Sequence, residues 1–175
     1  MKEVVRRPDG KPDSEETKEV AKPEKPKSQR AQYRDKFRLM NKSEHQLYCT
    51  LVEALPNMIV LSQVSMSQVF HIDRFKKGSF QQLGEIGRKS IDFLICRKND
   101  TSIVTAIELN GPTHEKADQK ISDEKKRTAL AEAGIPLAIF YPNELPDVEA
   151  IRKIMARHIV ERRKYEAARN QKLHR

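Results

Sequence analysis

The chain has 175 residues, with 34 lysines and arginines against 25 aspartates and glutamates, a formal net charge of +9 and a pI near 9.6. That length supports one folded domain with appendages, and no apolar run approaches the length of a transmembrane helix. The basic balance points to a polyanionic partner, nucleic acid first, while the few aromatic residues and the lack of Trp argue against a base-stacking platform.

Residues 1–7 lack the apolar core of a signal peptide. Cys49 and Cys96 sit in apolar contexts without Cys-x-x-Cys spacing, so both are expected to be small core residues and zinc is not indicated. The expectation is a soluble cytoplasmic protein with reduced thiols.

Residues 1–40 are rich in Lys, Glu, Asp and Pro, and Pro8, Pro12, Pro23 and Pro26 interrupt any helix that starts. Such a segment buries too little to offset its ordering entropy, so a disordered charged tail is predicted, most clearly over residues 1–28. Tyr33, Phe37, Leu39 and Met40 mark a piece that either docks on the domain or forms a short basic helix. The tail serves as a solvated linker or in electrostatic search along nucleic acid.

A helix is predicted from Ser43, with Ser43 and Gln46 as a capping box and Leu47, Leu51 and Leu55 as an apolar stripe widened by Tyr48 and Val52. Pro56 ends it. Glu44 in the first turn suits the helix dipole. Residues 58–64 read as a strand and 65–75 as a short helix carrying Val69 and Phe70. Residues 76–88 hold three glycines and no clear period, which predicts a loop; its Lys76, Lys77 and Arg88 precede Asp92 and could approach a substrate.

Two β-rich runs, 90–97 and 102–109, flank a polar turn and predict a hairpin. Turn chemistry at 110–114 leads to a helix over 116–133. Ala117, Ile121, Leu130 and Ala133 form its buried side, and Gly134 and Pro136 stop it. The apolar run 137–141 suits a central strand buried on both faces. A last helix runs from 147 to at least 168, with Val148, Ile151, Ile154, Met155, His158 and Ile159 as its apolar stripe. Its second half, with Arg162, Arg163, Lys164, Arg169, Lys172 and Arg175, either projects into solvent or lies along a phosphate backbone. The order predicts an α/β domain over 41–160 around one mixed sheet, with a basic helical extension over 161–175.

The chemistry concentrates in residues 89–114. Asp92 interrupts the first hairpin run and Glu108 lies near the end of the second. A carboxylate is costly to bury without a partner or a cation. Facing residues on paired strands lie within about 5 Å, so the two acids could share a divalent ion such as Mg²⁺ or Mn²⁺. Alternatively, Asp92 pairs structurally with Arg88 or Lys89.

The order helix, strand, strand with Asp, strand with Glu, helix, strand resembles the PD-(D/E)XK, or restriction-endonuclease-like, nucleases. Ile-Asp-Phe-Leu-Ile, then Ala-Ile-Glu-Leu-Asn-Gly-Pro-Thr-His, then Gln119, Asp123, Lys126 and Ala-Gly-Ile-Pro-Leu are closest to one branch. That branch is a bacterial domain family of unknown function related to very-short-patch repair endonucleases. The resemblance covers about residues 40–142. It implies a restriction-endonuclease-like mixed sheet flanked by helices, with Asp92, Glu108 and the Leu109 carbonyl as metal ligands and Glu44 completing the shell.

It further implies roles for His114 near a scissile phosphate and for Lys126 as a displaced catalytic lysine. Gln119 and Asp123 match polar positions of the family; Asp123 and Lys126 could equally form an ordinary surface pair. The chain departs from the pattern at Asn110, where the superfamily has Lys and the closer branch usually has Asp. Asn brings no charge, so Lys126 or Lys89 would have to supply it. Strand alternation turns Lys89 away from Asp92 and favours Lys126. The implied activity is metal-dependent phosphodiester hydrolysis of DNA, in preference to RNA. The alternative is a catalytically degenerate nucleic-acid-binding module, or an accessory protein of a mobile-element or repair system.

Overall fold

A computed structural model describes residues 34–71, 78–110 and 117–173. The predicted tail segment 1–28, and Lys76 and Lys77 of the predicted loop, lie outside the described residues. The chain divides into two units, Met1–Phe37 and Arg38–Arg175, and the fold belongs to the second. No helix among the described residues is long and apolar enough to cross a membrane.

The domain is a four-stranded mixed sheet flanked by helices. Its elements are α1 (Lys42–Ala54), β1 (Met58–Ser65), α2 (Met66–Val69), α3 (Ser79–Gly87), β2 (Ser90–Arg97), β3 (Ile103–Leu109), α4 (Ala117–Glu132), β4 (Leu137–Phe140) and α5 (Val148–Leu173). The strand order is β1-β2-β3-β4. The first three strands are antiparallel, and β4 returns parallel to β3 after the α4 crossover. One core joins Leu47 and Leu51 of α1 and Ile151 and Met155 of α5 to Phe93, Ile95 and Ile107 of the sheet. A second core joins Met66 of α2 and Ala129 and Leu130 of α4 to Ile91, Leu94 and Ala106. Burying both faces explains the apolar density of the hairpin strands.

α1 begins earlier than its sequence suggested. The capping box is formed by Asn41 and Glu44, not by Ser43 and Gln46. Asn41 Oδ1 accepts from the Glu44 N–H at 2.9 Å, and Glu44 Oε2 accepts from the Asn41 N–H at 2.8 Å. Asn is as good an N-cap as Ser, and the acidic third position answers it. Leu47 and Leu51 are buried as expected, but Val52 faces outward, and so does Cys49, which is therefore no core residue. Cys96 is a buried free thiol. Ahead of the helix, Met40 packs on the first core while Leu39 stays exposed.

Three further expectations need correction. The predicted loop at 76–88 contains a helix, α3, whose Ile86 packs on the second core. Phe80, Leu83 and Ile86 recur at three-residue spacing in the sequence, a helical period that the glycines obscured. The helix predicted over 65–75 is confined to Met66–Val69 in the described part. Strand β4 is an edge strand, not a central one. Its apolar run reflects coverage from both sides, Leu137 by one core and Ala138 and Phe140 by the other.

Within α4, Leu130 is buried and Ala133 just beyond it partly so, but Ile121 is 59% exposed; the side chain of Ala117 lies outside the described residues. Gly134 closes the helix in the left-handed region at φ +62°, and a Cβ there would overlap the Tyr165 ring. In α5, Asp147 Oδ1 caps the Ala150 N–H at 2.7 Å. The charged second half is not wholly given to solvent or phosphate. Arg162 donates to the carbonyls of Ala133 (2.7 Å), Gly134 (2.9 Å) and Ile103 (3.1 Å). Glu166 takes a two-pronged bond from Arg97 at 3.1 Å on each oxygen. A guanidinium reaching orphan carbonyls at another helix's C-terminus holds α5 against the sheet. Arg163, Lys164, Arg169 and Lys172 stay exposed.

Hydrogen bonds from a charged donor contribute about 1.5–3 kcal/mol, so Arg162→Met is expected to lower the melting temperature by roughly 4–8 °C in thermal denaturation. An unchanged Tm would mean that this half of α5 does not support the fold.

Candidate functional site

The candidate site sits where β2 begins and β3 ends. The β2–β3 register pairs Phe93 with Ile107, so Asp92 and Glu108 fall opposite one another one step further on. There the Asp92 carboxylate takes over from the backbone ladder, its Oδ2 accepting the Leu109 N–H at 2.8 Å. Glu108 is buried. Its Oε2 accepts from Lys126 Nζ at 2.7 Å, and the same ammonium donates to the Ser90 carbonyl at 2.8 Å. Lys126 reaches the site because α4 lies against this face of the sheet through Ala129 and Leu130. Its neighbour Lys125 turns outward to Glu85 of α3 at 2.7 Å.

Glu108 Oε1 is buried without a hydrogen-bond partner among the described residues. Burial pushes the Glu108 carboxyl above its ordinary range; Lys126 opposes the shift and the charge of Asp92 adds to it. Asp92 is also raised, first by burial and further by the charge of Glu44, against the Leu109 N–H and Lys126. Each raised value means that the ionised form is less well solvated than in the unfolded chain.

Asp92, Glu108 and Lys126 thus come together, with the backbone of Leu109 beside them. Glu44 acts on Asp92 through its charge, but its Oε2 is engaged in capping α1. Asn110 is half-buried and donates its backbone N–H to Phe140 at 2.9 Å. Asp123 lies three residues before Lys126 on α4 and is half-buried. Lys89 precedes β2, and its charge acts on Glu85. His114 lies outside the described residues, as does the side chain of Gln119, whose backbone belongs to α4.

Sequence reasoning missed Gln63 and Ser90. Gln63 stands across β1–β2 from Asp92, and its nearby carboxamide works against the upward shift of that carboxyl; the Ser90 hydroxyl donates to Gln63 Oε1 at 3.3 Å. The one available signal was a polar pair, Ser62-Gln63, interrupting an apolar strand. A cavity of about 860 Å³ between α3 and α4, lined by Phe70, Ile86, Ile121 and Ala129 among others, includes neither carboxylate of the pair.

Among the described residues no three His, Cys, Asp or Glu side chains gather as a metal cage. A hard cation that keeps several waters needs only one or two carboxylates. The buried, unpartnered Oε1 of Glu108 beside Asp92 fits such an ion; Glu44 is not drawn into the pair.

The fold and site define a mixed α/β domain with a carboxylate–lysine cluster at one end of its sheet. Residues 35–159 match a protein family of unknown function, DUF2726, and the chain belongs to that family. No curated protein and no solved structure matches the chain.

The raised carboxylates carry a stability prediction. Between the unfolded acids' ordinary range and their higher folded values, the folded state holds more protons, so stability falls as pH rises through that window. Asp92→Asn keeps an acceptor for the Leu109 N–H and removes the charge. It is expected to add about 1 kcal/mol at neutral pH, or roughly 2–4 °C in Tm, with the gain vanishing in acid. Thermal melts of both proteins across pH check this; a variant less stable at neutral pH would contradict it.

Proposed function

We propose that this chain hydrolyses phosphodiester bonds in DNA with a divalent cation, Mg²⁺ or Mn²⁺, held by Asp92 and Glu108. The observation that carries this reading is the buried Glu108 Oε1, unpartnered among the described residues, on the residue that lies opposite Asp92 in the β2–β3 register. The resemblance to PD-(D/E)XK nucleases, in element order and in the spacing of Asp92 and Glu108, supports the reading independently. The bound ion would lower the pKa of a coordinated water and neutralise charge on the attacked phosphate.

The chain's own groups do the rest. Leu109 N–H orients Asp92. Lys126 orients Glu108 and keeps a positive charge beside it, where it can stabilise charge developing on phosphate. That assigns to Lys126 the part that Asn110 cannot take. The +9 net charge and the exposed Arg163, Lys164, Arg169 and Lys172 of α5 favour a polyanion. These α5 residues follow the Arg162 and Glu166 anchors at Ile103 and Arg97, the end of the hairpin opposite the carboxylates, so any contact they make is remote from the reacting phosphate.

A second reading is favoured by the Lys126–Glu108 pair itself. The pair already neutralises one carboxylate, and Asn110 occupies the third motif position, as in a nucleic-acid-binding module that has lost its chemistry.

Supercoiled-plasmid nicking with Mg²⁺ or Mn²⁺ separates the two. The proposal expects metal-dependent nicking that is lost in Asp92→Ala and Glu108→Ala. In Lys126→Met it expects a loss of about 10²–10³-fold, the size typical of removing one preorganised stabilising donor. Intact DNA binding without nicking under either metal would select the second reading.

A further inference from the structure

We infer that Gln63 is a positioning residue of the carboxylate site, its carboxamide fixing the Asp92 carboxylate for a cation shared with Glu108. The inference rests on the cation reading above and names a residue that reading does not require.

The β1–β2 register runs from Met58↔Arg97 to Ser65↔Ser90 without a shift. Within these strands Ser62 pairs with Phe93 and Val64 with Ile91, while Gln63, facing Asp92, is left out of the pairing. No residue is inserted, so the break is a local turn of one backbone unit. Gln63 makes it by adopting φ +53°, the left-handed region that Gly and Asn enter readily and other side chains only at a cost. Gln has no short side chain to bond its own backbone there, as Asn does. Strain held by such a residue persists where its surroundings require it, and it concentrates at functional sites.

The surroundings form a chain of contacts. Ser90 Oγ donates to Gln63 Oε1 at 3.3 Å, which holds the amide on the face of the sheet that Ser90 shares with Asp92, two residues on along β2. The Ser90 carbonyl accepts from Lys126, and Lys126 donates to Glu108. Leu109 N–H, next to Glu108 on β3, donates to Asp92. Residues from β1, β2, β3 and α4 therefore orient the two carboxylates, with Gln63 as the contribution of β1. β1 is also an edge strand, and a kink there discourages pairing with another sheet. That second role needs only the backbone, and Gly would serve it as well.

The test uses the full chain, Mn²⁺ titration by calorimetry and thermal melts, on wild type, Gln63→Gly and Gln63→Leu. Gly releases the backbone strain and removes the amide; Leu keeps the bulk and the strain and removes the amide. Supporting residues around a metal site typically contribute 10–100-fold to affinity. The expected result is a Tm that rises in Gln63→Gly and not in Gln63→Leu, with Mn²⁺ affinity reduced about 10-fold or more in both. Wild-type affinity in Gln63→Gly would overturn the inference alone and leave Gln63 guarding the edge. A wild-type protein that binds no Mn²⁺ would overturn it together with the cation reading.

Discussion

Glu108 is a buried carboxylate facing the strand position of a second acid, and the rest of this end of the molecule answers that fact. Ionised acids tolerate burial only with counter-charge and hydrogen bonds. The counter-charge is Lys126, so α4 must lie across the sheet in a register that carries an ammonium to the end of β3. The α4 crossover, the parallel return of β4 beside β3 and the packing of Leu130 deliver it there. Asp92 is managed by neighbouring strands, through the Leu109 N–H on one side and the facing position of Gln63 on the other. After these contacts one fully buried acceptor, Glu108 Oε1, stays without a partner among the described residues.

The opposite end of the hairpin shows what full satisfaction looks like in the same fold. Glu166 is more exposed than Glu108, yet both its oxygens are bonded by Arg97, and Arg162 lies beside it at 3.3 Å. Arg162 in turn caps carbonyls of the α4 terminus. That end is a clamp in which charges and orphan carbonyls are matched. At the carboxylate end, among the described residues, the ion pair to the two carboxylates is the one Lys126 makes with Glu108. A fold able to build the first arrangement and retaining the second carries a cost where a cation would act.

Much of this was legible in the sequence. The hairpin strands, α4 with its Gly134 stop, and the apolar stripe of α5 follow from periodicity and turn chemistry, and so does the placing of Asp92 opposite Glu108. The preference for Lys126 over Lys89 came from strand alternation, and Lys126 is the ammonium found at Glu108. What was hidden depends on tertiary geometry. α3 was masked by its glycines, and β4 read as central because burial on both faces and central position leave the same apolar signature. The charged half of α5 gave no hint that Arg162 would turn inward, since a guanidinium bonding another helix's carbonyls has no local pattern. Gln63 was invisible because a left-handed φ at a non-glycine residue is set by its neighbours across the sheet.

The central claim is that Asp92 and Glu108 hold a divalent cation. The most direct measurement is anomalous diffraction at the manganese edge from crystals grown with Mn²⁺. The account predicts a single strong peak at the Asp92 and Glu108 carboxylates, with Glu108 Oε1 as a ligand. No peak at that position, with Oε1 bonded instead by a protein donor, would contradict it and leave the pair as a structural ion cluster.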